Sequence, residues 1–445
     1  MIDRFGEILR KKTFWSMDRL SGGKIHKDYE NIYNIFNNPE IADEYTNKRL
    51  KHLIEHAGSF VPFYMKFKNC LSIQEYPIIT KDIIKNNYSD FISEKFNSVQ
   101  MKKVKTSGSQ GKPFIVYHDK RKACRKKADL IFFNKQIGND VGDKHALIRT
   151  KNKSPLELLL QNEVLIIASK RDQKSIQQYY NILKKKNISF IIGHPSIMVA
   201  LAESIKNGKH KDNTPKIRGF IAIAEPLYEY DRIVIEETFY CQVLGRYSSE
   251  EFGIIAHELP GDTRYHWNIA SLYTEMLALD SDLPVKAGEP GRIVVTDLFS
   301  YGMPLIRYDT GDIGVQSKKP SSITGGPVFE RIEGRVLDII QDTDGNSIFP
   351  LSLYDQLTDF LVDFPKITDY QLIQNTRYNY TLRLKALSKE KMNIEPLRNK
   401  LVNILGPDAK VDIEITDNLE ILASGKKPFI INRLNKSDHK SKNAV

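Results

Sequence analysis

Residues 105–117 run Lys-Thr-Ser-Gly-Ser-Gln-Gly-Lys-Pro-Phe-Ile-Val-Tyr, which sets two glycines, small hydroxyl residues and a lysine between two β-like runs. Gly108 and Gly111 accept positive φ and let backbone N–H groups close on an anion. Thr106, Ser107 and Ser109 add hydroxyl donors, Gln110 adds an amide, and Lys112 adds a point charge. Such a loop has the chemistry of a phosphate cradle, and an ordinary hairpin turn is its alternative reading. It is not a Walker loop, because only two residues separate Gly108 from Gly111-Lys112 and Pro113 stands where Ser or Thr belongs.

The elements that must position this chemistry follow from the apolar rhythm. Residues 1–100 read as helical and irregular; Leu50, Leu53, Ile54 and Ala57 fall at helical spacing before Val61-Pro62. Pro77-Ile-Ile-Thr-Lys81 reads as an apolar turn into a short helix, a matter of packing. From 160 to 250 strands are expected at 164–168, 188–192, 217–223 and 242–245, with helices at 172–186, 195–204 and 228–239 between them. Strand and helix alternating at this spacing predict right-handed crossovers and a parallel sheet, whose ligands bind beyond the carboxyl ends of the strands. At those ends stand Gly193-His194-Pro195, Ala224-Glu225-Pro226 and Tyr247-Ser248-Ser249-Glu250-Glu251. Short β segments follow at 291–297, 303–308 and 328–332, with Tyr308-Asp-Thr-Gly-Asp312 as a turn carrying two carboxylates. A compact α+β pattern begins at 336, with a strand at 336–341, two strands near 367–386, a strand at 410–415 and helices at 351–362 and 392–404. Residues 435–445 read as a disordered tail.

The chain is 445 residues long, 41% hydrophobic and 27% charged, which suits a globular protein of more than one domain. No apolar run is long enough to span a membrane, and the first ten residues do not read as a secretory signal. Cys70, Cys124 and Cys241 lie far apart without a C-x-x-C pair, which fits a reducing cytoplasm. The net charge of +11 is concentrated between Lys102 and Lys127, where ten of 26 residues are basic. Nucleic-acid binding is not expected from one local patch without a zinc finger, a helix-turn-helix or an aromatic platform. A solvated helix face is the ordinary reading, and an acidic small molecule or acidic carrier partner is the alternative.

Together these residues resemble the adenylate-forming superfamily of acyl-CoA synthetases, luciferases and peptide-synthetase adenylation domains. The likeness is greatest to the phenylacetate–CoA ligase branch, including its CapK-type relatives. Lys105–Tyr117 is similar to the family's first ATP loop and Tyr247–Gly253 to its aromatic-x-x-x-Glu motif. Residues 288–312, with Pro304-Leu-Ile-Arg-Tyr-Asp-Thr-Gly-Asp312, resemble the motif that ends in a ribose-binding aspartate. Glu333-Gly-Arg-Val-Leu-Asp338 resembles the hinge motif, and Ser424-Gly-Lys426 the loop of the catalytic lysine. Residues 49–64 with Pro77–Lys81 resemble the N-terminal segment of the branch. Gln110 departs from the family's Thr and Ser248 from its Gly. Ala256-His257-Glu258-Leu259 lacks the cysteines some branch members carry, so a Cys₄ zinc is not expected there.

The resemblance implies an α/β fold: a large N-terminal domain, residues 1–335, with parallel α/β sheets and a β-rich subdomain, and a small hinged α+β C-terminal domain, residues 336–434. It implies ATP-dependent conversion of a carboxylic acid to an acyl-adenylate, then acyl transfer to CoA, an acyl carrier protein or an amine. Thr106, Ser107, Gly108, Ser109, Gln110, Gly111 and Lys112 would hold phosphate; Glu225, Tyr247, Ser248, Asp312 and Arg335 would complete the ATP site. Within it, Tyr247 would stack on adenine and Asp312 would accept the ribose hydroxyls. Glu251, with Glu250 as its rival, would ligate Mg²⁺, and Lys426 would bridge the attacking carboxylate and the α-phosphate. Asp338 would mark the pivot. His194, Ser249 and His266 are candidates for the acyl pocket.

Overall fold

The computed structural model describes residues 2–434, apart from 71, 98, 100, 107–113, 150–151, 169–172, 207–213, 336–337, 362–363, 365–366, 387–392, 417 and 421–427. Lys102–Thr106 (β1) and Phe114–His118 (β2) pair antiparallel on either side of the glycine-rich segment. His145–Arg149 (β3), Glu163–Ile167 (β4), Phe190–Gly193 (β5), Gly219–Ala222 (β6) and Gln242–Ser249 (β7) then form a parallel array in the order β4-β3-β5-β6-β7. Every residue of β5 and β6 is buried, as expected of strands covered on both faces. Alternate side chains divide between two clusters. Ile191, Phe220 and Val243 pack against helices Gln173–Lys185, Pro195–Ser204 and Glu229–Phe239, while Phe190, Ile192, Ile221 and Leu244 face the other way. The expected strands and helices of this region are present. β3 is an addition, because charged neighbours and an alternating, half-buried pattern hide it from a search for apolar runs.

β7 changes partner along its length. Gln242–Gly245 pairs parallel with β6, and Arg246–Ser249 pairs antiparallel with Gly253–Leu259 (β8). Beyond β8 the same sheet continues antiparallel through Asp262–Trp267 (β9), Leu272–Leu277 (β10), Pro290–Asp297 (β11), Tyr308–Gln316 (β12) and Val328–Arg335 (β13), in the order β8-β9-β13-β12-β11-β10. The eleven-stranded sheet thus changes sense at β7, and a switch point of this kind opens a crevice at the strand ends.

Two expectations need correction here. The strand expected at 303–308 starts only at Tyr308, so Asp309 and Asp312 lie within β12 and not in a turn. Arg307, in the left-handed region at φ 51°, ends the preceding loop, and its guanidinium is tied to Glu275 and to the carbonyls of Gln74 and Tyr76. The segment after Pro77 is stitched to the strand start, Ile79 exchanging backbone hydrogen bonds with Arg307 and Asp309.

The basic helix is not simply a solvated face. Helix Lys120–Asn134 buries Lys122, Arg125 and Asp129. The Lys122 ammonium lies 2.5 Å from the buried Asp297 carboxylate, and Arg125 bonds to Asn31, Ser271 and the Ala270 carbonyl. Arg121 forks onto Asp28 of helix Lys24–Asn37. A charged stripe that would dissolve on the surface here locks the N-terminal helices onto the sheet.

The smaller C-terminal domain begins with the ribbon Ile340–Gln341 (β14) and Ser347–Ile348 (β15). Its own sheet combines Ile367–Gln374 (β16), Asn379–Ala386 (β17), Lys410–Ile415 (β18) and Ile430–Asn432 (β19), in the order β18-β17-β16-β19. Helices Pro350–Leu361 and Glu395–Leu405 cover it through Leu353, Leu357, Leu397 and Leu401. The 435–445 tail lies outside the described residues. Among the described residues no helix is long and apolar enough to cross a membrane.

Replacing Lys122 with methionine strands the Asp297 carboxylate, which is 1% exposed. The expected loss is about 3–5 kcal/mol, read by chemical denaturation. Asp297→Asn in the same background should recover part of it, and a Lys122→Met midpoint equal to wild type contradicts this role.

Candidate functional site

The turn between β7 and β8 carries Glu250, Glu251 and Phe252, and the basic segment holds it by all three carbonyls. Lys126 Nζ donates to the Glu250 oxygen at 3.3 Å, His118 Nε2 to Glu251 at 2.9 Å, and Lys122 Nζ to Phe252 at 2.7 Å. Residues 118, 122 and 126 recur every four positions, which aligns them on one side of the helix and its N-terminal approach. Asp119 caps that helix through the amides of Arg121 and Lys122, and its other oxygen accepts the amides of Tyr301 and Gly302. Burial holds the His118 imidazole down at about 3, so the neutral ring donates through Nε2. Lys126 is lowered to about 8, first by burial. Burial also raises the Glu251 carboxyl, against the opposing pull of its own amide, Lys81 and Ser249. Lys81 in turn is lowered by burial and raised by Glu251.

Opposite this turn, the Tyr247 hydroxyl donates to Asp312 Oδ2 at 2.6 Å. Arg335, the register partner of Asp312 across β12 and β13, sets Nε 3.6 Å from Oδ1. The Asp312 amide donates to Thr310 Oγ1, while the neighbouring Asp309 is bound by Arg292. Tyr247 is driven well above its ordinary range by burial and then by Asp312. Asp338 is pushed up to about 6, chiefly by burial, with Arg335 pulling it down and Asp312 pushing it up.

A third group stands at the ends of β5 and β6. Glu225 follows Ala224, which takes φ 69°, and turns back to meet His194 Nδ1 at 3.1 Å and the amide and hydroxyl of Ser196. His194, Glu225, Tyr247, Ser248, Ser249, Glu250, Glu251, Asp312, Arg335 and Asp338 all line one continuous cleft. Tyr354, Asp369, Tyr370, Lys385 and Phe429 of the C-terminal domain wall its other side, with the Tyr354 ring stacked on Tyr228.

His266 does not join them. It is 1% exposed within β9, beside Asp262 and Thr324, and is lowered by burial to about 4. An inward position on a strand paired with β8 and β13 makes it a core side chain, which corrects its expected place in the acyl pocket. Ser107, Gly108, Ser109, Gln110, Gly111, Lys112 and Lys426 lie outside the described residues; Thr106 ends β1. Sequence reasoning missed Lys81, Lys126 and His118. Lys81 stood in a segment read as packing, and the four-residue spacing of His118, Lys122 and Lys126 was the available signal for the grip.

Among the described residues no group of three or more His, Cys, Asp or Glu side chains is placed to hold a metal ion. Magnesium, however, needs only one or two carboxylates when substrate phosphates complete its octahedron. Glu251, a half-buried carboxyl on a rigid turn with Ser249 beside it, fits that requirement.

No family model matches this chain. It is 25% identical over 419 residues to Protein CapK of Staphylococcus aureus, covering 88% of this chain and 89% of that protein. Among solved structures it is similar to 2-hydroxyisobutyryl-CoA ligase in the postadenylation state in complex with R3-HIB-AMP, with a TM-score of 0.70, 15% identity and coverage of 92% and 93%. The same ligase with 2-HIB-AMP and CoA in the thioesterification state matches at 0.55 and 14% identity, with coverage of 92% and 93%. ATP-bound MatB from Rhodopseudomonas palustris matches at 0.56 and 15% identity, over 79% of this chain and 71% of that one. The chain therefore has the fold of the adenylate-forming superfamily.

Proposed function

We propose that this protein activates a carboxylic acid with ATP and passes the acyl group to a second nucleophile, most directly the thiol of CoA. The observation that carries the reading is the convergence of Tyr247, Glu251, Asp312, Arg335 and Asp338 on one cleft in a chain with this fold. In the first step a substrate carboxylate oxygen attacks the α-phosphorus. The bond from that phosphorus to the bridging oxygen breaks, and pyrophosphate leaves. In the second step the acceptor attacks the acyl carbon, the bond to the phosphate oxygen breaks, and AMP leaves. A thiol, a carrier-protein thiol and an amine share this second step, and the phenylacetate–CoA ligase-like assignment favours CoA in a cytoplasmic setting.

The chain's own residues divide the work. Asp312, an acceptor with two oxygens, exchanges part of its bonding to Tyr247 and Arg335 for the ribose hydroxyls. Tyr247 and Ser248 flank the adenine, with Glu225 at the neighbouring rim. Residues 106–112 cradle the departing pyrophosphate. Glu251 supplies the metal-binding carboxylate, and bound Mg²⁺ would neutralise charge building on the phosphate oxygens. Lys426 delivers a cation to the reacting centre on a domain that pivots at Asp338, between residues 1–335 and 336–434. The chain matches the postadenylation state of one ligase better than its thioesterification state, so the described arrangement is nearer to the former.

Pyrophosphate release with a panel of carboxylic acids tests the activity. Glu251→Gln and Lys426→Ala should each lower the adenylation rate by about 10² or more, while Lys427→Ala stays near wild type. Wild-type turnover in both variants contradicts the assigned roles. A second test concerns the pivot. Because the folded Asp338 carboxyl is raised to about 6 from an ordinary 3.8, the native state holds its proton longer than the unfolded chain does. Its contribution is therefore present at low pH and is lost as pH rises from about 4 to about 6. Over that window wild type should lose on the order of 2 kcal/mol more stability than Asp338→Asn, read from denaturation at each pH. Parallel pH profiles contradict it.

A further inference from the structure

Five cationic side chains are buried among the described residues: Lys122, Arg125, Arg232, Arg246 and Arg307. Four meet a carboxylate. Lys122 pairs with Asp297, Arg125 with Asp28, Arg232 with Glu258, and Arg307 with Glu275. Arg246 is the exception. It is 7% exposed, and its Nη2 donates only to neutral acceptors, Asn134 Oδ1 at 2.7 Å and His257 Nε2 at 3.3 Å. Its Nε is buried without a partner.

The neutrality of His257 is itself built in. Its Nδ1 donates to the Glu258 carbonyl and its ring stacks on Phe133, with centroids 4.9 Å apart. Burial and the neighbouring guanidinium push it well below its ordinary value. Burial alone lowers Arg246 to about 9. A desolvated guanidinium costs more than neutral hydrogen bonds return, and an orphaned buried donor calls for an explanation.

Arg246 is among the residues that line the cleft, as are Ile131, Asn134, Leu147, Ile192 and Ile223, which offer apolar surface there. Neighbouring residues on a strand project to opposite faces. Tyr247 therefore faces Asp312, while Arg246 faces helix Lys120–Asn134. The nucleotide side and the guanidinium lie on either side of one strand. Asn139, 2% exposed with its side-chain oxygen unpartnered, is also among the residues that line the cleft.

Resting on the activity proposed above, we infer that the acid taken by this site carries a second carboxylate, and that Arg246 is the specificity residue that receives it. The reacting carboxylate lies at the Glu251 end, the carbon chain runs along that apolar surface, and the distal carboxylate forks onto the guanidinium. That ligand supplies the counterion the folded chain withholds, and a monocarboxylic acid of equal length leaves the cation buried and unpaired.

The test is pyrophosphate release from matched pairs, succinate against butyrate, glutarate against pentanoate and adipate against hexanoate. Wild type should favour the better diacid by at least about 100-fold in kcat/KM. In Arg246→Met that ratio should fall to about 1, and Arg246→Lys should restore part of it. The preferred diacid alone should raise the thermal midpoint of wild type but not of Arg246→Met; if the methionine variant does not fold, the wild-type ratio and Arg246→Lys decide. Monoacids turned over as well as diacids, or a diacid preference that survives Arg246→Met, overturn this inference while leaving the activity intact. Turnover of none of the acids overturns the activity reading and the inference with it.

Discussion

The hold of one helix on one turn organises this molecule. Three successive carbonyls, those of Glu250, Glu251 and Phe252, accept from Lys126, His118 and Lys122. The backbone on either side of the Glu251 side chain therefore cannot drift, and a group on a rigid turn needs no reorganisation when charge develops beside it. The same helix reaches the rest of the fold through Lys122 to Asp297, Arg125 to Ser271 and Arg121 to Asp28. Local chemistry and global packing share one set of buried cations.

The change of sense in the sheet gives that turn its surroundings. β7 is parallel to β6 at its start and antiparallel to β8 at its end, so the strand projects past its parallel neighbours before reversing at residues 250–252. The cleft opens at this step. Asp312 and Arg335 arrive from β12 and β13, and Glu225 and His194 from the parallel side. Gly245 sits at the change of partner because any side chain there would collide with the Tyr265 hydroxyl and Glu258. The C-terminal domain closes the far wall with Tyr354, Tyr370 and Phe429.

Much of this was legible in the residues, though unevenly. The crossover region could be read because its strands are short apolar runs separated by segments of helical length. β8 and β9 escaped, since they carry His257, Glu258, Arg264 and His266 at positions where apolar residues are expected; Glu258 is matched from another element by Arg232, and Arg264 from within its own strand by Asp262. Asp309 and Asp312 were expected in a turn and not in a strand, because Gly311 and the preceding proline imitate a turn. The clearest failure was the basic helix. Counting charges predicts a solvated face, whereas the acceptors that bury it come from sequence positions more than 90 residues away, among them Asp28 and Asp297. His266 erred differently: its polarity suggested a pocket, but the ring lies inside the sheet with Nδ1 against the Thr324 hydroxyl and Asp262 nearby.

The central claim is that a rigid turn and two facing strands form one nucleotide site. The most direct measurement is a structure of the full chain with Mg²⁺ and a non-hydrolysable ATP analogue. The account predicts the ribose hydroxyls on Asp312, the metal on the Glu251 carboxylate with phosphate oxygens completing its shell, and the 250–252 carbonyls still held by Lys126, His118 and Lys122. A nucleotide bound elsewhere, or a metal that leaves Glu251 untouched, contradicts it.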